Sequence, residues 1–225
     1  MNAHDEVERI RAETKALRLA GAPDDAIARL EGAIAGFQRV ISAHPDDRQA
    51  AHALVELNGM LGGAYRERGD FRRSAAAYDA GFRYESDPRF GGQTSYNRLN
   101  RLVSRILLHP RVLSDPESLR AEPLEFVDVP RELMSLLATL RAQFEGPRKG
   151  DPWAAGDLAL ASVLSGSEAT VARLADLAST SPQAWVYHAY REVFAMLARL
   201  DTPCKKELNS GVAWFDARLA GRETR

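Results

Sequence analysis

Two apolar stripes of helical period, joined by a Gly-Asp turn, limit what this chain can fold into. Around the stretch LNGMLGGAYRERGDFRRSAAAYDAGFRYESDP (57–88), Leu54, Leu57, Leu61, Ala64 and Tyr65 recur on one helical face, and Phe71, Ala75, Tyr78 and Phe82 recur on another. Between them Gly69 can take the left-handed backbone that ends a helix, and Asp70 can cap the first free amides of the next. The sequence therefore predicts an αα-hairpin. Gly62, Gly63, Ala75 and Ala76 stand where two helices need close approach, and the rings of Tyr65, Phe71 and Tyr78 are expected to stack in the seam.

The same grammar of helix, Gly turn, helix and Pro precedes it. Val7, Ile10, Leu17 and Ala20 lead to Gly21, and Pro23-Asp24 opens a stripe of Ile27, Leu30, Ile34, Phe37 and Ile41 that stops before His44-Pro45. After Pro88, Tyr96, Leu99, Val103 and Ile106 predict a helix whose other side carries Arg98, Arg101 and Arg105. Residues 109–129 hold three prolines and no sustained period, which reads as an insertion of the kind that is functional or mobile. Asp128 should cap a helix with Leu133, Leu136, Leu140 and Phe144 inward. Asp151-Pro152, Ser181-Pro182 and Thr202-Pro203 each place a capping residue before a proline, so helices are expected at Pro152, Pro182 and Lys205, with a short one over 168–179. No stretch alternates with period 2, so no sheet is expected.

Leu61-Gly62, Tyr65, Gly69, Ser74-Ala75, Tyr78 and Pro88 resemble the tetratricopeptide repeat, although the run from Tyr78 to Pro88 is longer than usual. Pro45 and Pro88 lie 43 residues apart, against about 34 in the standard repeat. Trp153, Leu164, Gly166, Pro182 and Trp185 look like the end of the TRAF-binding tetratricopeptide-like region of mitogen-activated protein kinase kinase kinases and its bacterial relatives, with Pro152 in place of that family's first aromatic. Asn97 or Asn100 matches the family's early Asn. The resemblance spans 57–107 and 151–197. It implies an all-α, right-handed solenoid of irregular helical hairpins, with 1–225 as a single helical-repeat domain. The hairpins are then 3–45, 46–88, 93–145 with the insertion at 109–129, 151–180 and 182–220. It implies a regulatory or scaffolding module and no reaction.

The charge balance, 30 Lys plus Arg against 31 Asp plus Glu, gives a formal net charge of −1 and no bulk attraction to nucleic acid or anionic membrane. A single cysteine, Cys204, excludes an intrachain disulfide and fits a reducing compartment. The polar start and the lack of a long apolar run point to the cytoplasm, and the excess of Arg over Lys hints at a GC-rich bacterial genome. Cys204 at a predicted helix start beside Lys205 and Lys206 would have its thiolate favoured, yet no His or Asn signature completes a nucleophilic site. His188 and Glu192, one helical turn apart, lack the further ligands of a metal site. Gly62-Gly63 and Gly91-Gly92 follow no strand and are not phosphate loops. Trp153, Trp185 and Trp214 read as core anchors between stacked helices.

These readings leave one surface feature. In a helical solenoid the first helix of each hairpin lines the concave face, so Arg66, Asn97, Arg98, Arg101 and Arg105 are expected to converge on a groove suited to an acidic protein or peptide segment. The expected function is a non-catalytic interaction module, an adaptor in bacterial signalling or defence, with no catalytic residue, cofactor or metal. Alternatives are an all-α hydrolase or nucleotide-processing enzyme using His188 and Glu192 or the 109–129 loop, and a nucleic-acid binder through Arg98, Arg101 and Arg105.

Overall fold

A computed structural model describes residues 2–91, 94–166 and 170–223. Among them the regular structure is entirely helical, ten α-helices and two short 3-10 turns. The expected helix start at Glu168, and Gly92, lie outside the described residues. The chain divides into two compact units, 1–104 and 105–225, and the division falls within one helix.

The first unit holds α1 (Ala3–Leu19), α2 (Pro23–Ala43), α3 (Arg48–Glu67), α4 (Phe71–Glu85) and the first turns of α5 (Tyr96–Leu108). Val7, Ile10, Ile27, Leu30, Ile34, Leu54, Leu57, Leu61 and Tyr65 form one core, so α1, α2 and α3 bury the middle of the stripe that periodicity marked, while Leu17, Phe37 and Ile41 are half-buried and Ala20 is exposed. Gly69 takes a φ of +76°, and the Asp70 carboxylate accepts from the Arg73 amide, which fixes the turn between α3 and α4. Gly62 is obligatory for a second reason: a Cβ there would stand 2.7 Å from the Tyr78 ring. The three rings do not stack as the sequence suggested. Tyr78 pairs edge-on with Tyr96 of α5, centroids 6.0 Å apart, while the Tyr65 hydroxyl reaches 2.5 Å to Glu31 on α2 and Phe71 is only half-buried.

The second unit contains α6 (Val129–Glu145), α7 (Pro152–Ser165), α8 (Thr170–Ser179), α9 (Ala184–Ala198) and α10 (Lys205–Glu223). Asp128 accepts from the Arg131 amide and Asp151 from the Trp153 amide, both as helix caps, and Gly166 ends α7 in the left-handed region. Every residue from Ala154 to Leu164 is buried, which explains the lack of a polar face on α7. Gly156 lets α9 approach, since a Cβ would stand 2.1 Å from the Tyr190 ring.

Several expectations change here. The helix expected at Pro182 begins instead at Ala184, after Ser181 turns the chain at φ +52°, whereas α10 begins at Lys205 as expected. Trp185 is 55% exposed and so is no core anchor. Residues 109–129 are not an undocked loop. They form 3-10 turns at Pro110–Leu113 and Pro116–Leu119 and bury Val112, Leu119 and Val127, apolar residues at no regular spacing. His109 Nε2 lies 2.6 Å from a Glu122 carboxylate oxygen and closes the segment at its base. Cys204 is buried, and burial pushes its thiol above the ordinary range, outweighing its hydrogen bond with Thr202, so the expected favouring of the thiolate does not hold.

Candidate functional site

The residues singled out for binding sit on α3 and α5, and their surroundings begin with one acid on α4. Glu85, the last residue of α4, accepts from the backbone amides of Asn97 at 2.9 Å and Arg98 at 3.1 Å, the free donors of the first turn of α5. Its Oε2 also accepts from Asn97 Nδ2 and Thr94 Oγ1. Burial raises the Glu85 carboxyl above its ordinary range, while these hydrogen bonds pull it back. A carboxylate at the end of one helix thus serves as the cap of the next.

Asn97 is fully buried. Its Nδ2 donates to the Val55 carbonyl of α3 at 3.1 Å, and its side-chain oxygen lies where a Cβ on Gly81 would stand, at 2.6 Å. Arg101 is buried as well, its guanidinium 3.8 Å from the Phe82 centroid and 3.8 Å from an Asp79 carboxylate oxygen. Ser104 shares a hydrogen bond with Ser74, which also donates to the Gly62 carbonyl. In the second unit Arg105 is 0% exposed and donates to the Glu125 carbonyl at 2.9 Å, holding the 109–129 segment. The arginine row is therefore not an open basic face. Asn97, Arg101 and Arg105 are withdrawn from solvent and engaged within the chain, because α5 buries its polar side as well as Leu99, Leu102, Val103 and Ile106.

Arg66 and Arg98 are half-buried and reach the surface. Arg66 lies over the Tyr78 ring, 5.9 Å from its centroid, and donates to Asn100 Oδ1 at 2.5 Å, tying α3 to α5. Asn100 in turn donates to the Tyr96 carbonyl. Tyr96, assigned to the core by periodicity, is 38% exposed, and its ring lies against Gly59. Next to it Gly63 has only the Tyr78 hydroxyl within contact distance, 3.7 Å from where a Cβ would stand. That hydroxyl is buried without a hydrogen-bond partner. Tyr96 is a phenol that influences it, short of hydrogen-bond geometry. Burial above all keeps the Tyr78 hydroxyl protonated, so it can act only as a neutral donor or acceptor. Sequence reasoning missed Tyr96, Asn100, Tyr78 and Glu85 as parts of this face. The glycines at 59, 63 and 81 were the available signal, since each marks a place where a side chain from another helix comes in.

In the second unit His188 and Glu192 stand exposed on α9, and among the described residues no group of three His, Cys, Asp or Glu side chains could hold a metal ion. The rings of Trp153 and Trp185 lie with centroids 5.3 Å apart. Among the described residues no helix is long and apolar enough to cross a membrane. Comparison with protein-family models, curated proteins and solved structures finds no match to this chain.

Proposed function

We propose that this protein is a non-catalytic interaction module of the tetratricopeptide-like kind, a cytoplasmic adaptor that takes a protein segment of acidic character along the α3 and α5 face of its first unit. The observation that carries the reading is the half-buried Arg66 on α3 together with the exposed Tyr96 of α5, whose ring lies across Gly59 of α3. An aromatic ring supplies area at low entropic cost, and a guanidinium selects acidic side chains. Arg98 flanks this face. In this reading Asn97 and Arg101 act from beneath it by holding α5 in place, and Arg105 holds the chain that follows. The irregular hairpins then stack as a right-handed solenoid, as the resemblance to the TRAF-binding region implies, in a bacterial signalling or defence setting.

The test is capture from native lysate by immobilised protein, compared with the double variant Arg66→Glu, Arg98→Glu. Partners with acidic segments should be retained by the native protein and lost by the variant, with melting temperatures alike. Equal capture by both would remove the face from consideration. Loss of capture together with loss of helix content would show the arginines to be structural.

A further inference from the structure

We infer that a pocket between α1, α2 and α3 of the first unit binds a small organic amine in its protonated form, seated on Phe37 and facing Asp47. The pocket is separate from the face proposed above, because Arg66 lies about 24 Å along α3 from Ala50 at the helical rise per residue. The apolar surface of α2 outlasts the core it serves. Ile27, Leu30 and Ile34 are buried, whereas Phe37 is half-buried and Val40 is 37% exposed. With Ala3 at the start of α1 and Ala50 in the first turn of α3, these two side chains line a pocket of about 430 Å³, within the range that holds a small organic molecule. The connection from α2 sets the carboxylate in place, since the Asp47 amide donates to the His44 carbonyl at 3.0 Å.

Charge decides what the pocket takes. Glu6 and Arg9 also line it, but they are committed to each other and to their neighbours. Arg9 donates to the two Glu6 oxygens at 3.0 and 2.6 Å and to Glu13, and Arg29 donates to Glu13 at 2.7 Å. Two acids and two bases balance there, and Asp5 in the first turn of α1 answers the positive end of that helix. Asp47 is different. One of its oxygens caps α3 by accepting from the Ala50 amide at 3.0 Å, and its carboxylate forms no ion pair among the described residues. The positive end of α3 offsets about half of that charge, which leaves the lining negative. An ammonium supplies three donors for the lone pairs that Ala50 leaves open, and the Phe37 ring favours a cation carried on an apolar body. An anion would sit beside Asp47 and Glu6 and be repelled. A metal ion would find no group of three ligating side chains among the described residues.

Tryptamine is the probe, with indole-3-propionate as an anion of similar shape and indole-3-ethanol as the neutral counterpart. The full isotope-labelled chain is titrated with each and followed by NMR. Tryptamine should give saturable shifts at the Phe37 ring, the Val40 methyls and the Ala50 amide, and the other two should bind at least about tenfold more weakly. Asp47→Asn removes the charge and keeps the cap, because Asn serves at that position as well as Asp. Its melting temperature should match that of the native protein while its affinity for tryptamine falls about tenfold. Phe37→Leu should weaken tryptamine too. Equal binding by the native protein and Asp47→Asn overturns the proposal, as does the absence of saturable shifts at the three positions. Binding of indole-3-propionate or indole-3-ethanol as tight as that of tryptamine overturns it as well. Should Asp47→Asn lose helix content, the three probes compared on the native protein decide alone. The double variant Arg66→Glu, Arg98→Glu should bind tryptamine as the native protein does, so failure of the segment-binding face and failure of this pocket are read separately.

Discussion

Glu85 shows how far one side chain can be pulled between opposing effects. Burial raises its carboxyl, and the two amides of α5, Asn97 and Thr94 lower it, with burial the larger. Because the folded value lies above the unfolded one, the stability this group contributes is fully present below the unfolded carboxylate range. It is lost as pH rises through the folded value. Glu85→Gln keeps one acceptor oxygen and cannot ionise. The stability of the variant relative to the native protein, measured by urea unfolding, should therefore improve as pH is raised from about 4 to 7, the window that opens near the ordinary glutamate value. A difference that stays constant or worsens with pH would show that the hydrogen bonds outweigh burial. Tyr78 behaves differently, because its ring rather than its charge is at stake. Tyr78→Ala should cost about 3 kcal/mol or more in the same assay, since the ring fills the seam over Gly62 and supports Tyr96. A loss under about 1 kcal/mol would mean that neighbouring side chains close the gap.

Among the elements, α5 is the one whose role periodicity could not reveal. Leu99, Val103 and Ile106 were legible and are buried, whereas Tyr96 of the same stripe is 38% exposed; of the polar stripe expected to line an open groove, Asn97, Arg101 and Arg105 are packed inside. The information needed was on α4: Asp79 and Glu85 are the acids against which Arg101 and the first turn of α5 are set, and no pattern within α5 announces them. The hairpin of α3 and α4 was readable because its determinants are local, a left-handed Gly69 and a capping Asp70. The order in 109–129 was hidden for the opposite reason. Its anchors, Arg105 to the Glu125 carbonyl and His109 to Glu122, join residues 20 and 13 positions apart. Two outcomes follow at this scale. Reversing both buried charges, Arg101→Glu with Arg105→Glu, should destabilise by more than about 3 kcal/mol, because each would leave an acid or a carbonyl facing a buried negative charge. Unchanged melting would mean that solvent reaches them. Brief proteolysis of the native protein should spare Arg111 and Arg120, since the segment is docked, and early cutting there would show that the docking opens readily.

At the scale of the whole molecule, charge separates stability from recognition. With 30 basic and 31 acidic residues, the surface carries no strong field of one sign. Its exposed pairs, Arg11 with Glu56 and Arg18 with Glu67 between α1 and α3, and Arg191 with Asp216 between α9 and α10, sit at high local dielectric. Such pairs contribute roughly 0 to 1 kcal/mol each, and salt weakens them while equally weakening the repulsions that accompany them. The cores of both units are apolar, and added salt does not diminish that burial. Raising sodium chloride from about 0.05 to 0.5 M, which shortens the screening length to a few ångströms, should therefore leave the melting temperature nearly unchanged. Capture of an acidic segment on the Arg66 and Arg98 face depends on attraction across solvent before contact is made, so over the same range it should fall markedly. Measuring both on one sample distinguishes the causes. Parallel decline of melting temperature and capture would mean that salt acts on the fold. Capture indifferent to salt would mean that the segment is held by apolar contact at Tyr96, with the guanidinium playing no part.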